Sequence, residues 1–412
     1  MERLALIARD VPRGTRFVLR MRPGEYAKRT FLRRAVEDAR PYAGTIENFP
    51  LSIESIQGVL AMTIQEILQK AIKADAADIF LVAGLPVTFK CGGHQERLPG
   101  DFLRPDAIGV LVDEIYTIGR RSRVNLENGV DDDFSFAVSQ LGRFRVNVFR
   151  QRGSLAAVIR VIRFGLPDPR TLGIPESVLS LADNKKGLVL ITGSAGTGKS
   201  TTLACMIDRI NKSRDCHIIT MEDPIEYIHR HEKSNVTQRE ISIDTPGYLE
   251  SLRSALRESP DVILLGEMRD YDTISAAITA AETGVLLLST LHTSSAANTI
   301  NRILDVFPAN QQKQVKIQLA QILKGVVCQQ LVPSTDGGQI PVFEIMKTTV
   351  AIQNMIREDK LHQLESAMQA GAADGMCTMD GSLLKLYREK KITKDTALLS
   401  CVNYENMVKR LG

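Results

Sequence analysis

The sequence predicts an α/β protein with two globular domains, and three observations support this. A chain of 412 residues is long enough for about two or three separate hydrophobic cores. Between residues 134 and 162, short alternating segments are separated by glycine turns, which favours an antiparallel sheet. From residue 187 onward, short apolar runs alternate with helical segments, which is typical of a parallel sheet covered by helices.

The predicted domain boundaries are 1–61 for an N-terminal extension, 62–175 for a first domain and 185–412 for a second. The extension is rich in arginine and interrupted by prolines. It is interpreted either as a basic tail or as upstream sequence read in frame before a natural start at Met62. Prolines 167, 169 and 175 indicate a linker between the two domains.

Composition excludes several classes of protein. No apolar run approaches the ~20 residues that a membrane-spanning helix needs, and the charged start does not resemble a secretory signal. We therefore expect a cytoplasmic protein. The six cysteines form no C-x-x-C pair, which argues against a disulfide framework and a cysteine zinc site. Basic and acidic residues balance after residue 60, so no nucleic-acid partner is expected.

The elements follow from periodicity and capping. Thr63 and Glu66 have the spacing of a capping box at the start of an amphipathic helix. The predicted strands are 78–82, 134–138, 144–149 and 157–162 in the first domain, and 187–192, 217–221, 262–265 and 285–288 in the second. The predicted helices between the later strands are 249–257 and 272–282. After about residue 300 we expect the second domain to be mostly helical.

The strongest motif is Gly193–Ser200, which fits G-x-x-x-x-G-K-[ST] between an apolar strand and a helix-forming run. Such a loop binds nucleotide phosphates through backbone N–H groups and the positive end of a helix. Lys199 is expected to neutralise the phosphates, and Ser200 to help hold Mg²⁺. The predicted ATP-binding residues are Gly193, Ser194, Ala195, Gly196, Thr197, Gly198, Lys199, Ser200 and Thr201.

Hydrolysis of ATP needs a carboxylate to orient or deprotonate the attacking water. Glu267 follows the apolar run 262–265 at the carboxyl end of a strand, where α/β sheets bind their ligands. The carboxylate that usually comes directly after this run is replaced by Gly266. Glu267 is therefore the candidate catalytic base.

A second acidic cluster, Glu222, Asp223 and Glu226, follows the strand at 217–221. Three neighbouring carboxylates repel one another unless a cation is present, which favours a metal-linked role. Asp223 joins Ser200 as a candidate Mg²⁺ ligand. His292 follows the last core strand, where it is expected to sense the γ-phosphate. A guanidinium from a neighbouring subunit is also expected, and the sequence leaves open which arginine supplies it. The candidates are Arg143, Arg145, Arg150, Arg239, Arg253, Arg257 and Arg269.

The segments 221–227, 255–270, 279–284 and 289–293 together resemble the Asp box, Walker B motif and His box of the secretion ATPases. These are the motors of type II secretion and of type IV pili, and the chain is most similar to the retraction motors. The resemblance implies a PAS-like N-terminal domain, a RecA-like ATPase core and a homohexamer that holds ATP between subunits. It also implies that Glu222, Glu226 and Glu267 are catalytic.

The resemblance further implies partners and rival functions. The partners would be a pilus platform protein at the inner face of the membrane and a paralogous pilus ATPase. A pilus-assembly or type II secretion ATPase is the second hypothesis, although the four-cysteine module of those motors is missing. A regulatory ATP-binding subunit is the third. It is motivated by departures from the family at Val285, Gln353 and Phe80, where histidine, arginine and histidine are expected.

Overall fold

The computed structural model of the protein describes residues 62–162 and 165–412. The chain divides into two compact units between Arg163 and Phe164. The predicted extension of residues 1–61 lies outside the described residues.

In its described residues, the first unit contains an antiparallel sheet and three helices. The elements are α1 (Ile64–Lys73), β1 (Asp78–Leu81), β2 (Thr88–Cys91), β3 (His94–Arg97), α2 (Pro105–Ile118), α3 (Val124–Glu127), β4 (Asp132–Val138), β5 (Gly142–Gln151) and β6 (Ser154–Ile162). The strand order is β3-β2-β1-β6-β5-β4. The strand β1 therefore lies between the hairpin partner that follows it and the last strand of the unit.

The predicted capping box and strand alternation are both confirmed. The Thr63 side chain accepts from the Glu66 amide, and the Glu66 carboxylate accepts from the Thr63 amide at 2.7 Å. Along β5, Phe144 and Val146 have no exposed surface, because alternate residues face the core. Arg145 lies on the opposite face and pairs with Asp133 at 2.6 Å.

The second unit contains a mainly parallel sheet, helices that alternate with its strands and a C-terminal group of helices. Its elements are α4 (Glu176–Leu179), β7 (Gly187–Thr192), α5 (Lys199–Ser213), β8 (His217–Glu222), β9 (Asn235–Glu240), α6 (Tyr248–Ala255), β10 (Val262–Leu265), α7 (Tyr271–Glu282), β11 (Leu286–Leu291), α8 (Ala296–Asp305), α9 (Ala309–Ile322), β12 (Leu323–Pro333), β13 (Gln339–Lys347), α10 (Val350–Arg357), α11 (Leu364–Ala370), α12 (Met379–Arg388), α13 (Lys394–Ser400) and α14 (Tyr404–Leu411).

The second sheet has the order β13-β12-β7-β11-β10-β8-β9. Neighbouring strands are parallel except β12 and β13, which pair antiparallel. Strands β7, β10 and β11 are buried along their whole length, as expected when helices cover both faces of a parallel sheet. The carboxyl ends of β7, β11, β10 and β8 consequently lie side by side along one edge.

The expectation of a mostly helical chain after residue 300 was wrong for residues 323–347. These residues form the hairpin β12–β13, which extends the sheet beside β7. The hairpin turn contains Asp336 and Gly337, the latter with φ of 87°, a turn signal between two apolar runs. The remaining residues to the C-terminus are helical as predicted, apart from the connecting turns.

The proline-rich segment that was predicted to be a linker packs against the second unit. Ile174 is buried there in the core on one face of the sheet, and Leu166 and Leu172 pack against the same cluster. These apolar residues between the prolines explain why the boundary falls at residue 163 and not near residue 175.

Two further findings concern the described residues. No helix within 62–162 or 165–412 combines the length and apolar character needed to cross a membrane. All six cysteines lie in these ranges, and each is a free thiol.

We predict that Phe144→Ala destabilises the first unit by about 3–5 kcal/mol, because it leaves a cavity at a fully buried position of β5. Arg145→Ala, at the adjacent residue on the exposed face, removes a surface ion pair with Asp133 and should cost about 0–1 kcal/mol. Differential scanning calorimetry of the full chain would measure both changes. Equal losses from the two substitutions would contradict the assigned inside and outside faces of β5.

Candidate nucleotide-binding and catalytic site

The loop between β7 and α5 closely approaches strand β12. Gly193 has φ of 142°, and a Cβ atom there would lie 2.2 Å from the carbonyl oxygen of Gln329. Only glycine fits this position, because both the backbone angle and the close contact exclude a side chain. The Lys199 ammonium donates to the carbonyl oxygens of Gly193 at 2.8 Å and Ser194 at 2.7 Å. The Lys199 amino group thus lies beside the loop backbone that would surround the phosphates.

Gln329 fixes the other side of this loop, and sequence reasoning missed it. Its amide oxygen accepts from the buried Thr202 hydroxyl at 2.8 Å, in the first turn of α5. The neighbouring residue Cys328 is in register with Thr192, so β12 runs directly beside the strand that leads into the loop. The apolar run 323–333 and the following glycine turn were the available signal.

Electrostatic interactions connect Lys199 with two acidic candidates. Burial lowers the pKa of Lys199, and the negative charges of Glu267 and Glu226 oppose this decrease. Long-range charge effects of this kind require the three groups to lie near one another. The predicted nucleotide loop, the candidate base and one Asp-box glutamate therefore meet at the same edge of the sheet.

Glu267 lies between two cationic or potentially cationic side chains. One carboxylate oxygen pairs with the Arg269 guanidinium, and the other lies 3.5 Å from Nε2 of His292. The Glu267 side chain is only 13% exposed, whereas Arg269 and His292 are 70% and 54% exposed. The carboxylate is held at a fixed place, while its two partners face solvent. Glu267 and His292, which were both predicted to follow core strands, thus lie next to each other in the structure.

The glycine before Glu267 is explained by Tyr248 on α6. A Cβ at Gly266 would lie 2.8 Å from the Tyr248 hydroxyl and 3.1 Å from the carbonyl oxygen of Met221. Burial and the charges of Glu267 and Asp223 raise the pKa of Tyr248, so its hydroxyl stays protonated. The phenol occupies the space that an aspartate side chain would need. Sequence reasoning did not identify this tyrosine.

Glu222 is held by two neutral donors at the end of β8. Its carboxylate accepts from the Thr220 hydroxyl at 2.7 Å and from the Gln238 amide at 3.3 Å. Burial, opposed by these two hydrogen bonds and assisted by the negative charges of Glu226 and Glu240, raises the pKa of Glu222 to about 7. Glu222 therefore exchanges a proton near neutral pH.

A hydrogen-bonded connection joins this acidic segment to the nucleotide loop. The Thr201 hydroxyl lies 3.0 Å from the Tyr227 hydroxyl. The Gln238 amide donates to the carbonyl oxygen of Tyr227 at 2.9 Å as well as to Glu222. Gln238, on the edge strand β9, is a further residue that sequence reasoning missed.

The two candidate Mg²⁺ ligands differ in exposure. Asp223 is exposed and Ser200 is half-buried at the start of α5. Among residues 62–162 and 165–412, no group of three or more His, Cys, Asp or Glu side chains is arranged to hold a metal ion. In phosphate-binding loops the nucleotide itself supplies several of the oxygen ligands, so one or two protein oxygens are sufficient.

The remaining candidates are spread over both units. Arg239 pairs with Glu258 at 2.7 Å. Val285 is buried immediately before β11, and Gln353 is half-buried on α10. Phe80 lies on β1 in the first unit.

These features define a class of protein, namely a P-loop α/β protein with a nucleotide site at the carboxyl edge of a parallel sheet. The comparisons with known proteins then identify the family. Residues 54–379 match the family described as type II/IV secretion system protein, and the chain belongs to this family.

The chain is similar to pilus motors over most of its length. It is 44% identical to the type IV pilus retraction ATPase PilT of Pseudomonas aeruginosa, over 82% of this chain and 97% of that protein. It is 38% identical to the type IV pilus ATPase PilU of the same organism, over 82% and 88%. The crystal structure of the pilus retraction motor PilT with bound ADP superposes with a TM-score of 0.78, covering 84% of this chain and 99% of that chain.

We predict that Glu222→Gln stabilises the chain at pH 8 but not at pH 5, measured by thermal unfolding without nucleotide or divalent cations. The folded state raises the pKa of this carboxyl from 4.5 to about 7. Stability from its protonated form is therefore complete below pH 4.5 and is lost as the pH rises through about 7. A neutral glutamine avoids that loss.

Glu250→Gln, which changes an exposed carboxyl on α6, is the matched control. The difference in Tm between the two variants should grow from pH 5 to pH 8. A difference that stays constant over this range would contradict the raised pKa of Glu222.

Proposed function

We propose that this protein is a hexameric, Mg²⁺-dependent ATPase that powers type IV pilus retraction and twitching motility. The observation that carries this proposal is the parallel ladder β7-β11-β10-β8, which brings the Lys199 loop, Glu267 and Glu222 to one sheet edge. The similarity to PilT, whose crystal structure contains ADP, supports ATP as the substrate.

Nucleotide binding is assigned to residues 193–201. The backbone N–H groups of the loop and the N-terminus of α5 would surround the phosphates, as in other P-loop proteins. The Lys199 ammonium already lies at the loop, where its charge would oppose that of the β- and γ-phosphates. The Ser200 hydroxyl and the exposed Asp223 are oxygen donors of the kind that Mg²⁺ prefers. When bound, Mg²⁺ would neutralise phosphate charge.

Glu267 would act as the base in hydrolysis. It would accept a proton from water as the water oxygen bonds to the γ-phosphorus, and the bond from that phosphorus to the bridging oxygen of ADP breaks. The Arg269 guanidinium pairs with this carboxylate and helps to hold it in place. His292, whose Nε2 lies 3.5 Å from Glu267, would respond to the γ-phosphate. Glu222 and Glu226 complete the proposed catalytic acidic group.

Assembly into a ring would bring an adjacent subunit to the nucleotide site. An arginine from the adjacent subunit would stabilise charge on the transferred phosphoryl group. We also infer that the first unit is a PAS-like domain, supported by its antiparallel sheet, and that it moves against the RecA-like core of a neighbouring subunit during turnover. The proposed location is the cytoplasmic face of the membrane, beside a pilus platform protein. The similarity to PilU makes a paralogous ATPase a second candidate partner.

We predict that Glu267→Gln abolishes ATP hydrolysis and retains nucleotide binding, because it removes the proton acceptor and preserves the volume of the side chain. The expected loss in kcat is about 10²–10⁴-fold. Steady-state ATPase assays and fluorescent-nucleotide titration would measure the two properties on separated rings and monomers. Lys199→Ala is the contrasting variant, and it should lose binding.

Lys212→Ala serves as the matched control, since Lys212 is an exposed lysine on the same helix and pairs with Asp208. It should keep both binding and hydrolysis. Undiminished hydrolysis by Glu267→Gln would remove this residue as the base. Binding without hydrolysis in the unaltered ring would favour the regulatory-subunit alternative.

A deletion strain tests the direction of the motor. We predict that loss of this protein leaves cells with excess surface pili and without twitching motility, because pili extend and are not withdrawn. Electron microscopy and a motility assay measure these outcomes, and complementation with the Glu267→Gln variant should fail. Cells without pili would instead support the assembly alternative.

A further inference from the structure

Glu344 is a buried carboxyl group that the proposed hydrolysis does not use. It lies on β13 and is only 5% exposed. A buried carboxylate is costly unless hydrogen-bond donors or cations satisfy it. The hydrogen-bond donors around Glu344 therefore show which elements this buried group connects. Each contact leads to a different part of the second unit.

The first contact leads to the catalytic edge. One oxygen of Glu344 accepts from the backbone amide of Ala296 at 2.7 Å. Ala296 is the first residue of α8, four residues after His292. The same turn is fixed by a 2.7 Å contact between the Thr293 and Thr299 hydroxyls. Glu344 thus holds the end of the loop that carries His292.

The second contact leads to the C-terminal helices. The other oxygen of Glu344 accepts from the amide of Met379 at 3.3 Å, at the start of α12. The next residue, Asp380, is also buried and accepts from the amides of Val402 at 2.7 Å and Asn403 at 3.0 Å. Asn403 caps α14. The carboxylate of Glu344 therefore connects β13 with α12, and the carboxylate of Asp380 connects α12 with the start of α14.

A third contact reaches the strand before the nucleotide loop. The Cys328 thiol donates to Glu344 at 3.7 Å. Cys328 is in register with Glu344 on one side and with Thr192, the residue before Gly193, on the other. The carboxylate is consequently only two strands away from the start of the loop.

The two helix contacts use both oxygens of the Glu344 carboxyl group. Burial raises the pKa of Glu344, while the amides of Ala296 and Met379 favour its ionised form. Both amides lie at helix N-termini, where the helix dipole also favours negative charge. A glutamine has one acceptor oxygen and would satisfy only one of the two N–H groups.

We propose that Glu344 is a positioning residue that couples the His292 loop to the C-terminal helices α12 and α14. A shift of the loop during the nucleotide cycle would then be transmitted through Met379 and Asp380 to the segment around residue 402. This inference rests on the proposed ATPase function for its kinetic consequence only. The mechanical link itself exists in the chain without nucleotide.

Hydrogen–deuterium exchange on the full-length Glu344→Gln variant tests the link. We expect exchange to increase about tenfold in the peptides covering 289–300, 376–404 or both, because glutamine leaves one of the two buried amides without its acceptor. Peptides from β4–β6 and from β8–β10 should stay unchanged. In the unaltered chain, ADP with Mg²⁺ should protect both the 289–300 and the 376–404 peptides. In the variant, the protection of 376–404 should disappear.

Kinetics add a second measurement. Glu344→Gln should lower kcat about tenfold with KM for ATP unchanged, because His292 is displaced and the phosphate loop is not. Glu389→Gln, an exposed carboxyl at the end of α12 that pairs with Lys391, is the matched control and should leave exchange and kcat unchanged. Asp380→Asn weakens only the contacts between α12 and the start of α14. Exchange should therefore increase in residues 400–404 and stay unchanged in 289–300.

The outcomes separate this inference from the proposed function. Unchanged exchange in both peptides, or an equal increase throughout the chain, would overturn the positioning role. An unaltered chain that hydrolyses no ATP would overturn the proposed function, and the exchange test would still decide the link. Normal kcat combined with local loosening would refute the coupling to His292.

Discussion

The parallel ladder of β7, β11, β10 and β8 is the constraint on which the site depends. Because neighbouring parallel strands end at the same edge, the residues that follow them are brought together although they are distant in sequence. Gly193, His292, Glu267 and Glu222 lie at or just beyond the ends of these strands. The register of Thr192 with Leu291, and of Leu265 with Met221, sets their order along the edge. Backbone hydrogen bonds between the strands thus determine where these side chains lie.

This arrangement concentrates negative charge, and the structure disperses it in three ways. Lys199 and Arg269 supply positive charge near Glu267. Thr220 and Gln238 supply neutral donors to Glu222, whose raised pKa lets it lose its charge near pH 7. The residue before Glu267 is a glycine covered by Tyr248, which keeps one more carboxylate out of the edge. A magnesium ion with phosphates would bring both signs of charge into the same region.

Much of this could be predicted from the sequence, because short apolar strands and the glycine-rich loop are local signals. The nucleotide loop, the strands β7, β8 and β10 and the placement of Glu267 needed no knowledge of distant contacts. The roles of Gln329, Tyr248 and Gln238 could not be predicted in this way. Each is defined by a contact between separate elements of the fold, such as that between Gln329 and Thr202, which are 127 positions apart. The helical expectation for the C-terminal part failed at residues 323–347, where two apolar runs flank a glycine turn and pair as a hairpin.

The hairpin β12–β13 affects how movement can pass through the second unit. Strand β12 lies beside β7, so the strand that leads into the nucleotide loop is covered on that side by residues from the C-terminal part of the chain. Gln329 touches the loop, and Glu344 on the partner strand holds both α8 and α12. A loop that rearranges around phosphates must therefore either move against this hairpin or carry it along. Because packed sheets resist gradual deformation, the second response would deliver the movement to the C-terminal helices. In a motor, that is a direct route from phosphate chemistry to mechanical displacement.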